Sequence, residues 1–299
     1  LNDNAYTNIM VSWLFEKMLD VMDKIPNHFK KRLNVTQEEM EKWNDISKKI
    51  YVPMKNGIIM QYEGFDKLKK INFADYNKKY GDISRMDRIL KSEGKSPDNY
   101  KVLKQADVLM VFYLLPLSEA VKIMKRLGVR VSNVKKFLKR NYEYYLSITT
   151  HGSSLSRFVH DAISLSIRKD PCIWNFLVHA MQIDIEDSQG GSTREGIHMG
   201  MMAGTINFVR KYLCGIKTHS GGISIEPYYP KHWKRFESRL NHQGRKFNFV
   251  FTPEKIIVTL LKGGKSHIHY NKKKREIKNG EKLVLRGVKT FDKDLLEKC

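Results

Sequence analysis

Apolar residues in the first two thirds of the chain recur at helical spacing. In the segment "NAYTNIMVSWLFEKMLDVMDKI" one helical face carries Ile9, Trp13, Leu14, Met18 and Met22. Asp3 or Asn4 stands where an N-cap is expected. Further along, Thr36 is followed three residues later by Glu39, which is the capping-box pattern. These signals predict a series of helices that starts close to the first residue.

One predicted helix is apolar on nearly every side. In "KVLKQADVLMVFYLLP" almost every residue after Asp107 is apolar, which predicts a deeply buried helix that ends at Pro116. Further helical patterns follow it as far as "STREGIHMGMMAGTINFVRKYL", whereas residues 53–73 are less regular. Helices joined by short connections are typical of stacked helical hairpins.

The hydrophobic spacing changes after Gly215. The segments "FESRLNHQGRKFNFVFT" and "KIIVTLLKGG" alternate or are rich in β-branched residues, and "HQGRKF" has the composition of a hairpin turn. We therefore predict a mainly α protein with a helical domain over residues 1–214. We also predict a small β-sandwich-like domain over residues 215–289, followed by a tail over residues 290–299.

Two turns that combine glycine with hydroxyl residues precede predicted helices. The segments "THGSSLSRFVHDA" and "DSQGGSTREGIHMG" place there His151, Gly152, Ser153, Ser154, Gly191, Ser192 and Thr193. The first amides of a helix have no partner within it, and glycine allows an anion to approach them. A helix cap alone also explains each turn, since Ser192 and Glu195 form a capping box. Caps and an anion cradle both remain open at this point.

Two polar residues stand at the entrance to the apolar helix. Lys104 donates hydrogen bonds, and Gln105 both donates and accepts them. Sugar hydroxyls require that mixture, so the pair is a candidate sugar-binding site. The alternative is a partly exposed helix start without a ligand.

The formal net charge of +22 makes nucleic acid a partner to consider. The basic residues are spread along the chain, and their densest run, "NKKKREIKNGEK", has the pattern of a solvated hairpin. There is no zinc-finger spacing, RNP motif or basic region joined to heptads. The composition therefore favours a lysine-rich surface over nucleic-acid binding. No apolar run is long enough to span a bilayer, so no membrane partner is predicted.

The cysteines indicate a reducing compartment. Cys172, Cys214 and Cys299 form neither a CxxC motif nor a metal-ligand spacing. We therefore predict ordinary thiols in a cytoplasmic protein with no metal and no cofactor.

Several ordered motifs resemble glycoside hydrolase family 65. They are "DNAYTNIM", "YKVLKQADVLMVFYLL", "HGSSLSR", "GGSTREGIHMGMMAGT" and "PYYPKHW", and the resemblance extends from Asp3 to about Gly287. The family includes maltose, trehalose, nigerose and kojibiose phosphorylases, and "SEGKSPDNYKVLKQADVLMVFYLL" looks most similar to the trehalose and kojibiose branch. The resemblance implies the C-terminal half of an (α/α)6 barrel followed by a small β-sheet domain.

The resemblance also implies a reaction and a set of site residues. Members cleave an α-glucosidic bond with inorganic phosphate and invert the anomeric centre to give β-glucose 1-phosphate. Lys104 and Gln105 match the pair that binds glucose, and the two glycine–hydroxyl loops match the loops that hold phosphate. An inverting hydrolase needs a second carboxylate to activate water, whereas in a phosphorylase phosphate is the nucleophile. The implied partners are an α-linked glucose disaccharide and phosphate, with a homodimer as a possible assembly.

One element of the family's site is expected outside this sequence. The general acid of the family is a glutamate a few residues before the segment that matches "DNAYTN", so we expect it upstream of Leu1, together with the first half of the barrel. No residue of this chain is therefore assigned as catalytic, and the chain alone is expected to be inactive. Asp107 is expected to orient Lys104. A hydrolase of the same family and a basic nucleic-acid-binding protein remain alternatives.

Overall fold

The computed structural model of the chain describes residues 2–168, 173–182, 185–186 and 196–291. The chain consists of two compact units, Leu1–Lys169 and Asp170–Cys299. The first unit is built from the helices α1 (Ala5–Met22), α2 (Asn27–Arg32), α3 (Gln37–Lys49), α4 (Phe73–Tyr80), α5 (Met86–Ser92), α6 (Asp107–Leu114), α7 (Leu117–Arg126), α8 (Val134–Leu146) and α9 (Ser154–Arg168). The less regular segment holds a hairpin of β1 (Met54–Lys55) and β2 (Ile58–Ile59).

The predicted helix starts are present. The side chain of Asn4, rather than that of Asp3, accepts a hydrogen bond from the backbone N–H of Thr7 at 2.9 Å. Thr36 and Glu39 form the complete capping box, in which each side chain accepts from the backbone of the other residue. Both signals act within one helical turn, which is why the sequence alone reveals them.

The buried face of α1 agrees with the predicted one only in part, at Ile9 and Met22. Ile9 is fully buried, but Leu14 is 47% exposed. Helix α1 packs against α3, α6 and α7, and this places Ser12 in the interior. The Ser12 hydroxyl donates to the backbone oxygen of Ser47 at 2.6 Å, and Arg126 Nη2 donates to Ser12 Oγ at 2.8 Å. A polar residue outside the predicted hydrophobic stripe is therefore part of the buried face of α1.

Helix α6 is buried as predicted. Val108, Leu109 and Val111 have no exposed surface, and the helix packs against α1, α8 and α9. The backbone becomes extended at Leu115, because the ring of Pro116 disfavours helical geometry in the preceding residue. Lys104 and Gln105 therefore stand just before a helix that is buried and well packed.

The second unit begins with two helices and continues as strands. Its elements are α10 (Ile173–Gln182), α11 (Met199–Phe208), β3 (Ile216–His219), β4 (Gly222–Ile225), β5 (Tyr229–Pro230), β6 (Phe236–His242), β7 (Arg245–Phe251), β8 (Lys255–Lys262), β9 (Lys265–Tyr270), β10 (Lys273–Lys278), β11 (Lys282–Arg286) and β12 (Thr290–Phe291). Two four-stranded sheets have the orders β10-β9-β4-β3 and β11-β8-β7-β6. The predicted domain boundaries stay a prediction.

The β strands follow the predicted alternation. Phe247, Phe249 and Phe251 of β7 are fully buried, while the residues between them are partly exposed. The predicted turn joins β6 to β7, with Gln243 and Gly244 both at positive φ, as a two-residue hairpin of this hand requires. The basic run provides the turn after β9 and the strand β10, which is exposed except at one position.

The helix predicted after Ser192 begins later than expected. Helix α11 starts at Met199, and Gly196 has a φ of 100°, outside the helical region. Gly200 and Ala203 are exposed, and a Cβ atom added at Gly196 or Gly200 would meet nothing within 4 Å. Among the described residues, Gly196, Gly200 and Ala203 therefore do not serve close helix packing.

Candidate functional site

Two loops that the sequence singled out lie side by side in the first unit. One precedes α6 and ends with Lys104 and Gln105, and the other joins α8 to α9. The backbone N–H of Leu103 donates to the oxygen of Ile148 at 2.9 Å, and the N–H of Thr150 donates to the oxygen of Leu103 at 2.9 Å. This short parallel pairing places the candidate sugar-binding pair next to the loop that carries His151.

Gly152 is packed where no side chain fits. A Cβ atom at this position would lie 2.3 Å from the backbone oxygen of Ser84 and 3.2 Å from Cγ of Lys104. The same oxygen of Ser84 accepts a hydrogen bond from Thr150 Oγ1 at 3.0 Å, which holds the loop against it. The stem of Lys104 therefore borders the predicted phosphate loop.

Sequence reasoning did not identify the segment that supports this loop. The N–H and hydroxyl of Ser84 donate to the two carboxylate oxygens of Asp82, at 2.8 and 3.0 Å. An Asp two residues before a Ser is a local turn signal. That signal does not show that Ser84 then receives the loop of Gly152.

Asp107 orients Gln105 and not Lys104, so that expectation was wrong. Its Oδ1 accepts from Nε2 of Gln105 at 3.2 Å, and its Oδ2 accepts from Nε2 of Gln61 at 3.0 Å. Asp107 is the first residue of α6, where its carboxylate reaches the side chain two residues earlier. Gln61, a buried residue from the segment after β2, was not predicted.

Lys104 is exposed, and its charge acts on another carboxylate. Burial would raise the pKa of Asp87, but the hydrogen bond and charge of Arg85, together with the charge of Lys104, hold that pKa below its ordinary value. The ammonium group of Lys104 therefore lies at the surface of the loop cluster, within electrostatic range of the start of α5.

His151 has a constrained backbone and a neutral ring. Its φ is 55°, in the left-handed region that few residues other than glycine adopt. Nδ1 lies 3.1 Å from Oγ of Ser156, and the ring stands edge-on to that of His160 with centroids 4.7 Å apart. Burial, helped by the neighbouring His160 ring and by the charge of Arg157, lowers the pKa of His151 to about 4. At neutral pH its imidazole therefore donates one hydrogen bond and carries no charge.

His160 extends this polar cluster into the interior. It is buried, and Nδ1 lies 2.8 Å from the backbone oxygen of Ser156, so Nδ1 carries the proton. Its Nε2 is then an acceptor and has no hydrogen-bond partner among the described residues. The ring borders a small pocket lined by Gln105, Ala106, Met110, Leu155, Ser156, Val159 and His160. Sequence reasoning missed His160, although its spacing of four from Ser156 places both on one face of α9.

The structure describes some of the other predicted site residues and leaves the rest outside the described ranges. Ser153 immediately precedes α9, and its backbone oxygen accepts a hydrogen bond from the backbone N–H of Ser156 at 3.0 Å. Ser154 is the first residue of that helix. Gly191, Ser192 and Thr193 lie outside the described residues, so their part in binding phosphate stays a prediction. In the described ranges no cluster of His, Cys, Asp and Glu suits a metal ion, and no helix there could cross a bilayer.

Two family models place the chain among the glycosyl hydrolases. The "Glycosyl hydrolase family 65 central catalytic domain" matches residues 1–207, and the "Glycosyl hydrolase family 65, C-terminal domain" matches residues 216–276. The chain belongs to glycosyl hydrolase family 65.

Two relatives of the chain are named as phosphorylases. The chain is 36% identical to the trehalose 6-phosphate phosphorylase of Lactococcus lactis subsp. lactis over 87% of its own length and 32% of the relative's. It is 27% identical to the α,α-trehalose phosphorylase of Thermoanaerobacter brockii, over 94% of this chain and 35% of that protein. The chain thus spans about a third of the length of both relatives.

A solved structure supports the fold. The structure named "Putative kojibiose phosphorylase from human microbiome" has a TM-score of 0.67 to this chain, with 22% identity, and the match covers 95% of this chain and 37% of that one. At this identity the similarity concerns the fold alone. The chain is mainly helical with a C-terminal β region, which fits part of a helical barrel followed by a β domain.

Proposed function

We propose that this chain forms the sugar and phosphate contacts of an inverting disaccharide phosphorylase. The enzyme would cleave an α-glucosidic bond with inorganic phosphate and release β-glucose 1-phosphate. One observation carries the proposal: the stem of Lys104 borders Gly152, so a sugar-binding pair and an anion-binding loop adjoin. Membership of glycosyl hydrolase family 65 and the named phosphorylases among the relatives support it.

The proposal assigns glucose binding to Lys104 and Gln105. The carboxylate of Asp107 holds the amide nitrogen of Gln105, which leaves the amide oxygen directed away from that carboxylate. Lys104 donates from a charged ammonium group. Together they provide donors and an acceptor for sugar hydroxyls.

Phosphate binding is assigned to the two glycine–hydroxyl loops. Donors would come from His151, Ser153, Ser154, Ser192 and Thr193, with Gly152 and Gly191 allowing the anion to approach the backbone. Because burial keeps the ring of His151 neutral, it contributes a directed hydrogen bond without a charge that changes near neutral pH.

The reaction transfers one glucosyl group and one proton. A phosphate oxygen forms a bond to the anomeric carbon of glucose while the glycosidic bond breaks on the opposite face. The leaving oxygen takes a proton from a general acid, for which the proposal assigns no residue of this chain. Donors fixed in position before the reaction align phosphate with the anomeric carbon.

The same proposal includes the partners and the cellular location. The substrates are an α-linked glucose disaccharide and phosphate, no cofactor takes part, and the enzyme is a cytoplasmic homodimer. The location rests on the absence of cysteine motifs in the sequence.

The test is a kinetic comparison in the enzyme that contains this chain. His151→Ala should raise the KM for phosphate more than that for disaccharide, and Lys104→Ala should do the reverse. Lys69→Ala, which removes a positive charge from another segment, is the control and should change neither. Glucose release at an unchanged rate without phosphate would instead establish the hydrolase alternative.

A further inference from the structure

A second polar pocket lies at the start of α8. Its volume is about 180 Å³, and it is lined by Gly57, Arg130, Val131, Ser132, Asn133, Lys136, Phe137 and Arg140. Three of these residues are basic and none is acidic. The pocket therefore presents positive charge from the loop before α8, from the first turn of α8 and from its second turn.

Carboxylates of the described residues do not neutralise these charges. In the described parts of the chain, no ion pair includes Arg130, Lys136 or Arg140, and Nη1 of Arg140 donates to the neutral backbone oxygen of Asn56 at 3.1 Å. By contrast, Lys139 on the same helix pairs with Glu143 at 3.6 Å. Like charges around one cavity repel each other, and a bound anion would remove that repulsion.

Two features shape the pocket. A Cβ atom at Gly57 would lie 2.9 Å from Nη1 of Arg140, so the glycine leaves room for the guanidinium group. The side chain of Asn133 accepts from the backbone N–H of Lys136 at 2.9 Å and fixes the first turn of the helix. The pocket is thus formed by the β1–β2 turn and by α8 together, and its three basic residues are exposed to solvent.

This pocket is separate from the loops of Lys104 and His151. Helix α8 has 13 residues, so its two ends are about 20 Å apart along the helix axis. The pocket surrounds the first end, whereas the loop that carries His151 follows the second. A ligand at the pocket would therefore not be the phosphate that reacts.

We propose that the pocket formed by Arg130, Lys136 and Arg140 binds a small anion with a phosphate group, either inorganic phosphate or a phosphate monoester. Guanidinium groups bind phosphate oxygens in pairs, and two of them face this cavity. Its volume is below the range of about 300–1,000 Å³ that holds larger ligands. A cavity of this size fits one phosphate group better than a nucleic-acid strand. This inference does not depend on the proposed reaction.

Calorimetry on the full chain tests the proposal, with inorganic phosphate and glucose 6-phosphate as separate probes. All variants carry His151→Ala, which weakens the other candidate phosphate site. Ser132→Glu adds a carboxylate to the pocket, and Ser132→Gln is the neutral control of the same shape. We expect Ser132→Glu to raise the Kd of at least one probe tenfold or more, and Ser132→Gln to change it less than twofold. The probe that binds more tightly identifies free phosphate or the monoester as the ligand.

Two double variants distinguish binding in the pocket from a general effect of the net charge. Arg130→Gln with Arg140→Gln should weaken binding at least tenfold, whereas Lys273→Gln with Lys274→Gln removes the same charge from exposed β10 and should leave the Kd unchanged. Equal weakening by both pairs would overturn the proposal, as would an unchanged Kd in Ser132→Glu. Binding of single-stranded RNA that Ser132→Glu abolishes, without binding of either small probe, would also overturn it.

Discussion

The Cγ atom of Lys104 lies 3.2 Å from the position that a Cβ atom on Gly152 would occupy. Under the proposed function, one residue belongs to the glucose site and the other to the phosphate loop. A phosphate oxygen must come within about 3–3.5 Å of the anomeric carbon before it reacts. The close approach of Lys104 and Gly152 therefore places the proposed glucose site next to the proposed phosphate loop, as a reaction between glucose and phosphate requires.

Replacing Gly152 with alanine should disturb this contact. The added Cβ atom would lie 2.3 Å from the oxygen of Ser84, so the loop must shift at a cost of about 1–3 kcal/mol in the free energy of unfolding. In the enzyme, the KM for phosphate should rise as well. Gly200→Ala is the matched control, since its Cβ atom meets nothing within 4 Å. Thermal unfolding and phosphate kinetics check both variants, and a Gly152→Ala protein with normal values would contradict the close approach.

Replacing Lys104 or Gln105 with alanine should weaken sugar binding and leave the fold intact. Each change removes hydrogen bonds to a desolvated sugar, which are worth on the order of 1–3 kcal/mol. Disaccharide kinetics and the circular dichroism spectrum measure the two effects. Asp107→Asn should have a smaller effect in the same direction, because it weakens the hold on Gln105 without removing it. Kinetics that do not change would mean that neither side chain faces the sugar.

Ser192 and Thr193 distinguish a helix cap from a phosphate ligand. If they only cap a helix, alanine at either position should lower the free energy of unfolding by about 1 kcal/mol and have no other effect. We expect in addition a rise in the KM for phosphate that exceeds any rise in the KM for disaccharide. Denaturant unfolding and kinetics on the same preparations measure both quantities. A loss of stability alone would establish the cap interpretation.

Asp161→Asn should stabilise the chain at alkaline pH. Burial raises the pKa of Asp161 to about 7, against the opposing charge of Arg157. In the unfolded chain the carboxyl ionises near pH 4, so stability is lost between about pH 4 and pH 7 and the deficit stays constant above that range. The gain from Asn should thus be small near pH 4 and reach up to about 4 kcal/mol at pH 8.

The measurement for Asp161→Asn is thermal unfolding at pH 5 and pH 8. Asp20→Asn removes a carboxyl from the exposed side of α1 and serves as the control. A stabilisation of the Asp161 variant that does not grow with pH would show that the carboxyl is ionised in the folded chain.

Features that depend on neighbouring residues could be predicted from the sequence. The capping box of Thr36 and Glu39 closes within one turn, and the turn at Gln243 and Gly244 needs only positive φ at two positions. The buried strand β7 shows its alternation directly in the sequence. In each case the physical cause acts over a few residues.

Features that depend on packing partners could not be predicted. Leu14 has the right spacing for the core, but the partners of α1 bury Ser12 instead. Asp107 stands close to both Lys104 and Gln105 in the sequence, and only the position of its side chain in the fold selects Gln105 and Gln61.

The sequence by itself determined the helical and β regions and, through its motifs, the family and the candidate residues. The tertiary structure alone decided which of those residues touch. Nothing near Gly152 in the sequence explains why that position excludes a side chain. The reason is the backbone oxygen of Ser84, which folding brings within 2.3 Å of any Cβ atom placed there. Steric exclusion between segments remote in the sequence arises only when the chain is packed, and here it sets the loop of His151 against Lys104.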